Sequence, residues 1–256
     1  MSELLRERIG HIELLTINRP EARNAINGAV SRALSTAFDE LTDDDDAWVV
    51  ILTGSGDKAF SAGMDLKAFA AGEAADIIGA TGGFAGIAQR DFPKPLIAAV
   101  NGSALAGGCE IMLSCDLVVA VEEAKFGIPE VKRGLFAAGG GLIRLPKRIP
   151  PAIALELALT GDPIDAQRAL SLGLVNRVVP AGALRNEALA LATIIVENAP
   201  LAVRASKRIM KLAGDLSEAE AWAVNNAEVG AVFGSADAME GPVAFAEKRK
   251  PNWTGK

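Results

Sequence analysis

Histidine is almost absent from this sequence, with one residue, His11, and tyrosine is missing altogether. That scarcity excludes histidine-rich metal sites and leaves a Ser-His-Asp triad only His11 to use. No Gly-x-Ser-x-Gly elbow accompanies it. His11 opens a short alternating stretch, residues 11–17, and so reads as a surface position on a strand near the terminus. The two cysteines, Cys109 and Cys115, make neither a disulfide framework nor a zinc pattern. Both lie in one apolar segment and read as small buried hydrophobes. Positive charge is never concentrated: the net charge is −6 and the most basic stretch, Lys248-Arg249-Lys250, is short and terminal. Nucleic acid is therefore not an expected partner. No run of about 18 apolar residues occurs, so no membrane span is expected. Residues 1–8 lack the apolar core of a secretory signal and the acid-poor character of a transit peptide. A reducing, cytoplasmic setting is expected.

What the chain does have is an ordinary globular composition: 256 residues, half of them hydrophobic and 23% charged. At roughly 150 residues per domain, that is one large domain, or one with an appendage. Strand-like and helical segments alternate through the first two-thirds. Residues 48–53 (WVVILT), 96–100 (LIAAV), 117–120 and 174–179 are short apolar runs, as strands buried on both faces would be. Val30, Ala33, Leu34, Ala37, Phe38 and Leu41 fall at helical spacing. Residues 43–46 are four consecutive aspartates and read as a solvated turn. Residues 72–90, rich in Ala and Gly, read as a mobile, partly helical segment. No strand runs straight into their glycines, which argues against a dinucleotide fingerprint, and no Gly-Lys-Ser/Thr phosphate loop occurs. The last third reads as helices over 151–159, 183–197, 200–213, 217–233 and 235–249. Ser217 and Glu220 have capping-box spacing. These helices are too apolar to stand in water and are expected to bury against another subunit or the core.

Three segments can carry chemistry. In residues 58–69 (KAFSAGMDLKAF), Gly63 permits a tight turn that can aim the Met64 N–H into a cleft. A small-residue packing site explains the same letters. In residues 101–116 (NGSALAGGCEIMLSCD), Gly107 sits near a predicted helix N-terminus, where free N–H groups and the helix dipole favour negative charge. Glu110 lies one turn in on an otherwise apolar helix, either as a helix N-terminal charge or as a working acid/base. In residues 126–141 (FGIPEVKRGLFAAGGG), Glu130 follows Pro129, which favours an extended approach. Alone, Glu130 reads as a surface residue more often than as a catalyst.

Together these segments resemble the enoyl-CoA hydratase/isomerase family, also called the crotonase family. The matching features are Asn18-Arg19-Pro20 with Asn24-Ala25-Ile26-Asn27, and Ala59 through Lys67. Lys94-Pro95, Ala98 through Gly102, and Gly107-Gly108-Cys109-Glu110 follow in order. Phe126-Gly127 with Pro129-Glu130, Leu159-Thr160-Gly161, Gly173-Leu174-Val175 and Phe245 through Lys250 complete the match. The resemblance implies an α/β fold: a crotonase-like spiral of repeated strand-strand-helix units over residues 1–197. A C-terminal helical region over 198–256 would drive association into a homotrimer or a hexamer built as a dimer of trimers. It further implies an acyl-coenzyme A thioester as substrate, with no metal and no cofactor beyond the coenzyme A that the substrate carries. The oxyanion-hole donors would be the backbone N–H groups of Met64 and Gly107, and the catalytic pair Glu110 and Glu130. Ala62, Met64, Asp65, Leu66, Lys67, Gly107 and Ala138 would line the substrate site, with Lys67 toward the nucleotide end. Phe245 and Lys248 would contact coenzyme A across a subunit boundary.

The implied reaction is reversible hydration of an enoyl-CoA. Other reactions on the same scaffold are double-bond isomerisation and thioester hydrolysis, and a non-catalytic acyl-CoA- or RNA-binding relative is a third class. Retention of both carboxylates favours hydration over isomerisation. The sequence departs from the usual hydratase pattern in three places. Ala106 stands where a glycine is usual. Leu135 through Gly140 replaces a Pro-Gly-Ala-Gly-Gly pattern, which puts Ala137 and Ala138 at the acyl site. The 150–154 helix start (PPAIA) resembles relatives acting on bulky or substituted acyl groups, such as carnitinyl-CoA or steroid side-chain thioesters.

Overall fold

The computed structural model describes residues 2–256. Ten strands form two sheets. The larger contains β1 (Leu4–Ile9), β2 (Ile12–Ile17), β3 (Val49–Gly54), β5 (Leu96–Val100), β7 (Leu117–Val121) and β10 (Arg177–Val179), hydrogen-bonded in that order. The smaller contains β4 (Ala59–Ser61), β6 (Ser103–Leu105), β8 (Lys125–Gly127) and β9 (Ile164–Asp165). The β1/β2 hairpin and the β8/β9 pair are antiparallel, and every other pairing is parallel. Consecutive strands therefore step from the large sheet to the small one, as β3 to β4, β5 to β6 and β7 to β8, before the chain turns helical. This is the strand-strand-helix spiral.

The central strands are buried on both faces because their letters are. β5 is buried at every position, and β3 at all but Thr53. Helix α1 (Gly28–Asp43) is opened by Asn27, whose side chain accepts from the Val30 N–H. It buries Val30, Leu34, Phe38 and Leu41 completely. Each such side chain contributes about 1.5–3 kcal/mol of transfer free energy. Helix α8 (Leu184–Val196) packs against β2, β3, β5 and β7. The short α2 (Leu66–Ala68) and α3 (Ala74–Ile78) follow the first strand pair and α4 (Gly107–Ser114) the second. The third pair leads to α5 (Gly141–Arg148), α6 (Pro151–Thr160) and α7 (Ala166–Ser171). After α8 the chain ends in α9 (Pro200–Ala213), α10 (Glu218–Phe233) and α11 (Ala236–Ala246). The capping box of Ser217 and Glu220 forms. The apolar side chains expected on these last helices stand exposed on the single chain, Met210, Trp222, Phe233 and Met239 among them. Among the described residues, no single helix is long and apolar enough to cross a membrane.

Several expectations need correction. β1 was not legible, because all its residues but Leu4 are exposed or charged, as suits an edge strand. The strand expected over 174–179 shrinks to its last three residues, since Leu174 and Val175 complete the turn after α7. The final helix stops at Ala246 rather than 249, and Lys248 takes a left-handed φ of 57°. Residues 72–90 contain α3 and a tight turn over Phe84–Gly86, with Ile77 and residues 84–88 packed into the core. The aspartate run is only partly a solvated turn. Asp44 pairs with Arg8 at 2.5 Å, and its carbonyl accepts from the buried Lys94 ammonium. His11 stacks on Trp48 with ring centroids 3.8 Å apart, and its Nδ1 meets the Asp46 carbonyl at 2.8 Å. Both cysteines are buried and free, and burial pushes each thiol up to about 12, so neither is a nucleophile.

Candidate active site

A cleft of 780 Å³ opens where the first two strand pairs meet the loop after β8. Its first element is the turn after β4. Gly63 takes a φ of 85°, and the chain then bridges to Ile26. In that bridge the Ile26 N–H donates to the Gly63 carbonyl at 2.8 Å, and the Asp65 N–H donates to the Ile26 carbonyl at 2.9 Å. A parallel bridge of this kind turns the N–H of the residue between, Met64, to the opposite side. Met64 lines the cleft.

The second element is the N-terminus of α4. Gly107 is its first helical residue, so its N–H has no partner within the helix. Helix and turn are in close contact: a Cβ built on Gly63 would lie 2.6 Å from the Gly107 nitrogen, and one on Gly108 would lie 1.9 Å from the Ser61 carbonyl oxygen. Only glycine allows this approach. Among the described residues, neither the Met64 nor the Gly107 N–H meets an acceptor. Ala106, where a glycine is usual, holds φ 52° and ψ −129°. That conformation costs a side-chain-bearing residue about 1–3 kcal/mol.

The third element is a pair of carboxylates. Glu110 is 4% exposed and lines the cleft from α4. Its Oε1 accepts from the Gly141 N–H at 2.9 Å. Burial pushes its carboxyl above the ordinary value, against the pull of the Gly141 and Gly139 N–H groups and the Arg144 guanidinium. Glu130 enters from the tight turn Pro129–Arg133. Its Oε2 is buried without a hydrogen-bond partner. Burial, with the nearby Glu110 charge adding to it, raises its carboxyl to about 7. Glu130 lines the same cleft as Glu110, so both carboxyls face whatever binds there.

Glu130's raised value has a consequence for stability. Unfolded, its carboxyl titrates near ~4.3. Between that pH and about 7 the folded protein holds a proton that the unfolded chain has released. The stability linked to this group is full below the unfolded value and is lost as pH rises through the folded one. Glu130→Gln, which stays neutral, is expected to melt about 2–4 °C above the parent at pH 8 and to converge with it near ~pH 4. Thermal melts at the two pH values read this, and coincident curves at pH 8 would put Glu130 in an ordinary solvated setting.

Of the residues expected at the site, the structure brings Ala62, Met64, Leu66, Gly107, Glu110, Glu130 and Ala138 to one cavity. Asp65 and Lys67 do not line it. Asp65 turns its carboxylate onto the Lys67 and Ala68 N–H groups, at 3.0 and 3.2 Å, and pairs with Arg19 at 3.0 Å, so its work is to cap α2. Phe245, 87% exposed, and Lys248 lie on the C-terminal arm away from the cavity of their own chain. Sequence reasoning missed Phe84, Ile78, Gln89, Lys132 and Arg133, which also form its wall. Phe84 stood between glycines in the segment read as mobile. Gly107 is pressed against it, since a Cβ there would lie 2.7 Å from the Phe84 ring. Among the described residues, no group of three or more His, Cys, Asp or Glu side chains converges to hold a metal.

Two N–H groups without acceptors, on residues that line one cleft with two shielded carboxylates, could hold an oxyanion and exchange protons with whatever bears it. Comparison with known proteins assigns the chain to a family. Residues 7–256 match the family model described as enoyl-CoA hydratase/isomerase. The chain belongs to the enoyl-CoA hydratase/isomerase family. It is 46% identical to a carnitinyl-CoA dehydratase of Salmonella arizonae over the whole of both chains. Solved structures of enoyl-CoA hydratases from Mycobacterium marinum and Mycobacterium tuberculosis superpose with TM-scores of 0.96 at 52% identity, again covering both chains fully. A carnitinyl-CoA hydratase from Mycobacterium avium superposes at 0.79 with 46% identity over both full lengths. The family's mixed α/β fold with parallel sheets is the fold of this chain.

Proposed function

We propose that this protein is a hydro-lyase that adds water reversibly across the α,β double bond of an enoyl-CoA thioester. The observation that carries the reading is the meeting of Glu110 and Glu130 with two acceptor-free N–H groups at one cavity. The thioester oxygen would sit between the Met64 and Gly107 N–H groups. As water adds at Cβ, enolate charge develops on that oxygen, and a donor of this kind is worth about 3–4 kcal/mol. Glu110, whose burial against ionisation is offset in part by the Gly141 and Gly139 N–H groups and Arg144, would take the proton from water. Glu130, whose raised value keeps a large protonated fraction near neutrality, would deliver a proton to Cα. The two carboxyls interact, so their protons are shared between them as a pair. No metal or redox cofactor enters this chemistry.

The test is incubation with crotonyl-CoA and with bulkier enoyl-CoAs, following loss of the conjugated thioester absorbance and the product mass. Gain of one water supports hydration. A product of unchanged mass with a moved double bond points to isomerisation, and release of free coenzyme A to thioester hydrolysis. The exposed apolar face of the last three helices supports self-association, as a trimer or dimer of trimers in which Phe245 and Lys248 reach a neighbour's site. A monomer in sedimentation at micromolar concentration would remove that part of the reading.

The wall chemistry bears on the acyl group. Phe84, Leu105, Leu135 and Phe136 make it apolar. Its two cations are Lys132, paired with Asp162, and Arg133, which among the described residues has no ion pair. In this reading Glu110 and Glu130 are engaged at the reacting carbons, so a trimethylammonium group farther along the acyl chain would be desolvated against the apolar wall and Arg133. A neutral acyl group therefore fits better than a trimethylammonium one. The expected result is a kcat/KM about tenfold higher for 5,5-dimethylhex-2-enoyl-CoA than for its cationic isostere, 4-trimethylammoniobut-2-enoyl-CoA. The two differ only by carbon in place of N⁺. The reverse order would make this a carnitinyl-type site.

A further inference from the structure

The turn that grips Glu110 is itself gripped from behind. Arg144 sits on α5, just past Gly139–Gly141, and its side chain folds back across that turn. Nη1 reaches the Gly139 carbonyl at 3.4 Å, and Nη2 donates to the Ala88 carbonyl at 2.5 Å. A Cβ on Gly140 would lie 2.2 Å from Nη1, so the guanidinium rests directly on the backbone there. The opposite side of the same turn faces Glu110. The Gly141 N–H donates to Oε1, and a Cβ on Gly139 would lie 2.7 Å from Oε2. One short turn thus presents a carbonyl to a cation and N–H groups to a carboxylate.

We infer that Arg144 is a positioning residue for Glu110, holding the Gly139 and Ala88 carbonyls at once so that the Gly139 and Gly141 N–H groups stay aimed at the carboxylate. The planar guanidinium suits this task because its donors form a rigid fork that can bind two carbonyls from different segments. Ala88 and its neighbours Phe84 and Gln89 form one cavity wall, and Ala138 and Gly139 form another. Arg144 therefore also clips those walls together. Without it, the Gly139–Gly140 peptide is free to turn, and the Gly139 and Gly141 N–H groups in the peptides on either side of it lose their aim at Glu110.

The charges that face Glu110 can be named. Glu130 approaches across the cavity and Arg144 from α5, with the un-ionised Cys109 beside it on α4. Arg148, one turn farther along α5, spends its guanidinium on the Leu113 and Cys115 carbonyls. Arg144 is thus the cation set against the burial of Glu110. Its loss removes a nearby positive charge and disorders the N–H donors, and both effects favour the protonated carboxyl.

The inference borrows from the hydration reading only the task it gives Glu110, and its first test does not depend on turnover. In protein carrying ¹³C-labelled glutamate, the Glu110 carboxyl resonance is assigned by its absence in Glu110→Gln and titrated in the parent, Arg144→Gln and Arg144→Lys. The midpoint is expected to rise by about one pH unit in Arg144→Gln and by less in Arg144→Lys, which keeps a cation but reaches one carbonyl. In turnover, Arg144→Gln is expected to lower kcat about 10–100-fold with KM little changed, and to move the acid limb of the kcat profile upward by the same amount. Adding Arg144→Gln to Glu110→Gln should cost almost nothing more, because the effect passes through Glu110. A folded Arg144→Gln with an unmoved Glu110 midpoint, or a loss that adds fully to that of Glu110→Gln, overturns the inference. If Arg144→Gln does not fold, an unmoved midpoint in Arg144→Lys does the same. A parent that hydrates no enoyl-CoA sinks the hydration reading and leaves the titration to decide this one.

Discussion

Glu110→Gln is expected to lower kcat for enoyl-CoA hydration by about 10²–10⁴-fold, the range of a positioned general base, with the melting temperature within about 2–4 °C of the parent. The shape of the site separates the two effects. Glutamine keeps an oxygen that can accept from the Gly141 N–H, so the hydrogen bond at 2.9 Å survives and the helix stays seated against the turn. It also removes a buried carboxyl whose ionisation the fold disfavours. What it cannot do is accept a proton from water. KM should change little, because the proposed grip on the thioester comes from the Met64 and Gly107 N–H groups and the apolar walls. Steady-state rates on one substrate, with melting curves alongside, read both quantities. A variant retaining more than about a tenth of the parent kcat would remove Glu110 from the role of base.

The sequence made some of this architecture legible and hid the rest for physical reasons. Residues 96–100 read as a strand buried on both faces and are one, because a parallel strand sandwiched between layers has no polar side to confuse the pattern. Ser217 announced its helix through Glu220 because a capping box is a local hydrogen-bond circuit. The strands of the small sheet are two or three residues long, too short for any periodicity to register. At the site, Glu110 was visible as a charge on an apolar helix, but its partners Gly139 and Gly141 lie about thirty residues on in the chain and act through backbone N–H groups, which no side chain advertises. Asp65 stands outside the cleft for a related reason. It sits beside Met64 in the chain, yet the bridge to Ile26 turns alternate peptides to opposite sides, so adjacency in sequence became separation in space. Phe84 was hidden by composition, since an aromatic among glycines carries no helical or strand rhythm, and only the close approach of Gly107 shows what it does.

Gly63→Ala is expected to produce the second large loss, about 10²–10³-fold in kcat, by a different route. The substitution touches no reacting group. Its methyl would lie 2.6 Å from the Gly107 nitrogen and 3.3 Å from the Ala106 Cβ, so the turn carrying Met64 and the helix start carrying Gly107 must move apart. Both proposed oxyanion donors are backbone groups fixed by that contact, and a donor displaced by about 1 Å no longer meets developing charge at hydrogen-bond distance. The positive φ of 85° adds a strain of about 1–3 kcal/mol that glycine does not bear, so stability falls as well. Gly173→Ala separates the two consequences. Gly173 also has a positive φ, 78°, but an added Cβ there meets nothing within 4 Å, and it lies in the turn after α7, outside the cleft. It should show the smaller drop in melting temperature that positive-φ strain alone causes, with kcat unchanged. If both variants lose activity alike, the loss in Gly63→Ala follows from general destabilisation, and the oxyanion hole is not at Met64 and Gly107. If only Gly63→Ala does, the rate depends on the distance between two peptide nitrogens that a single missing methyl keeps close.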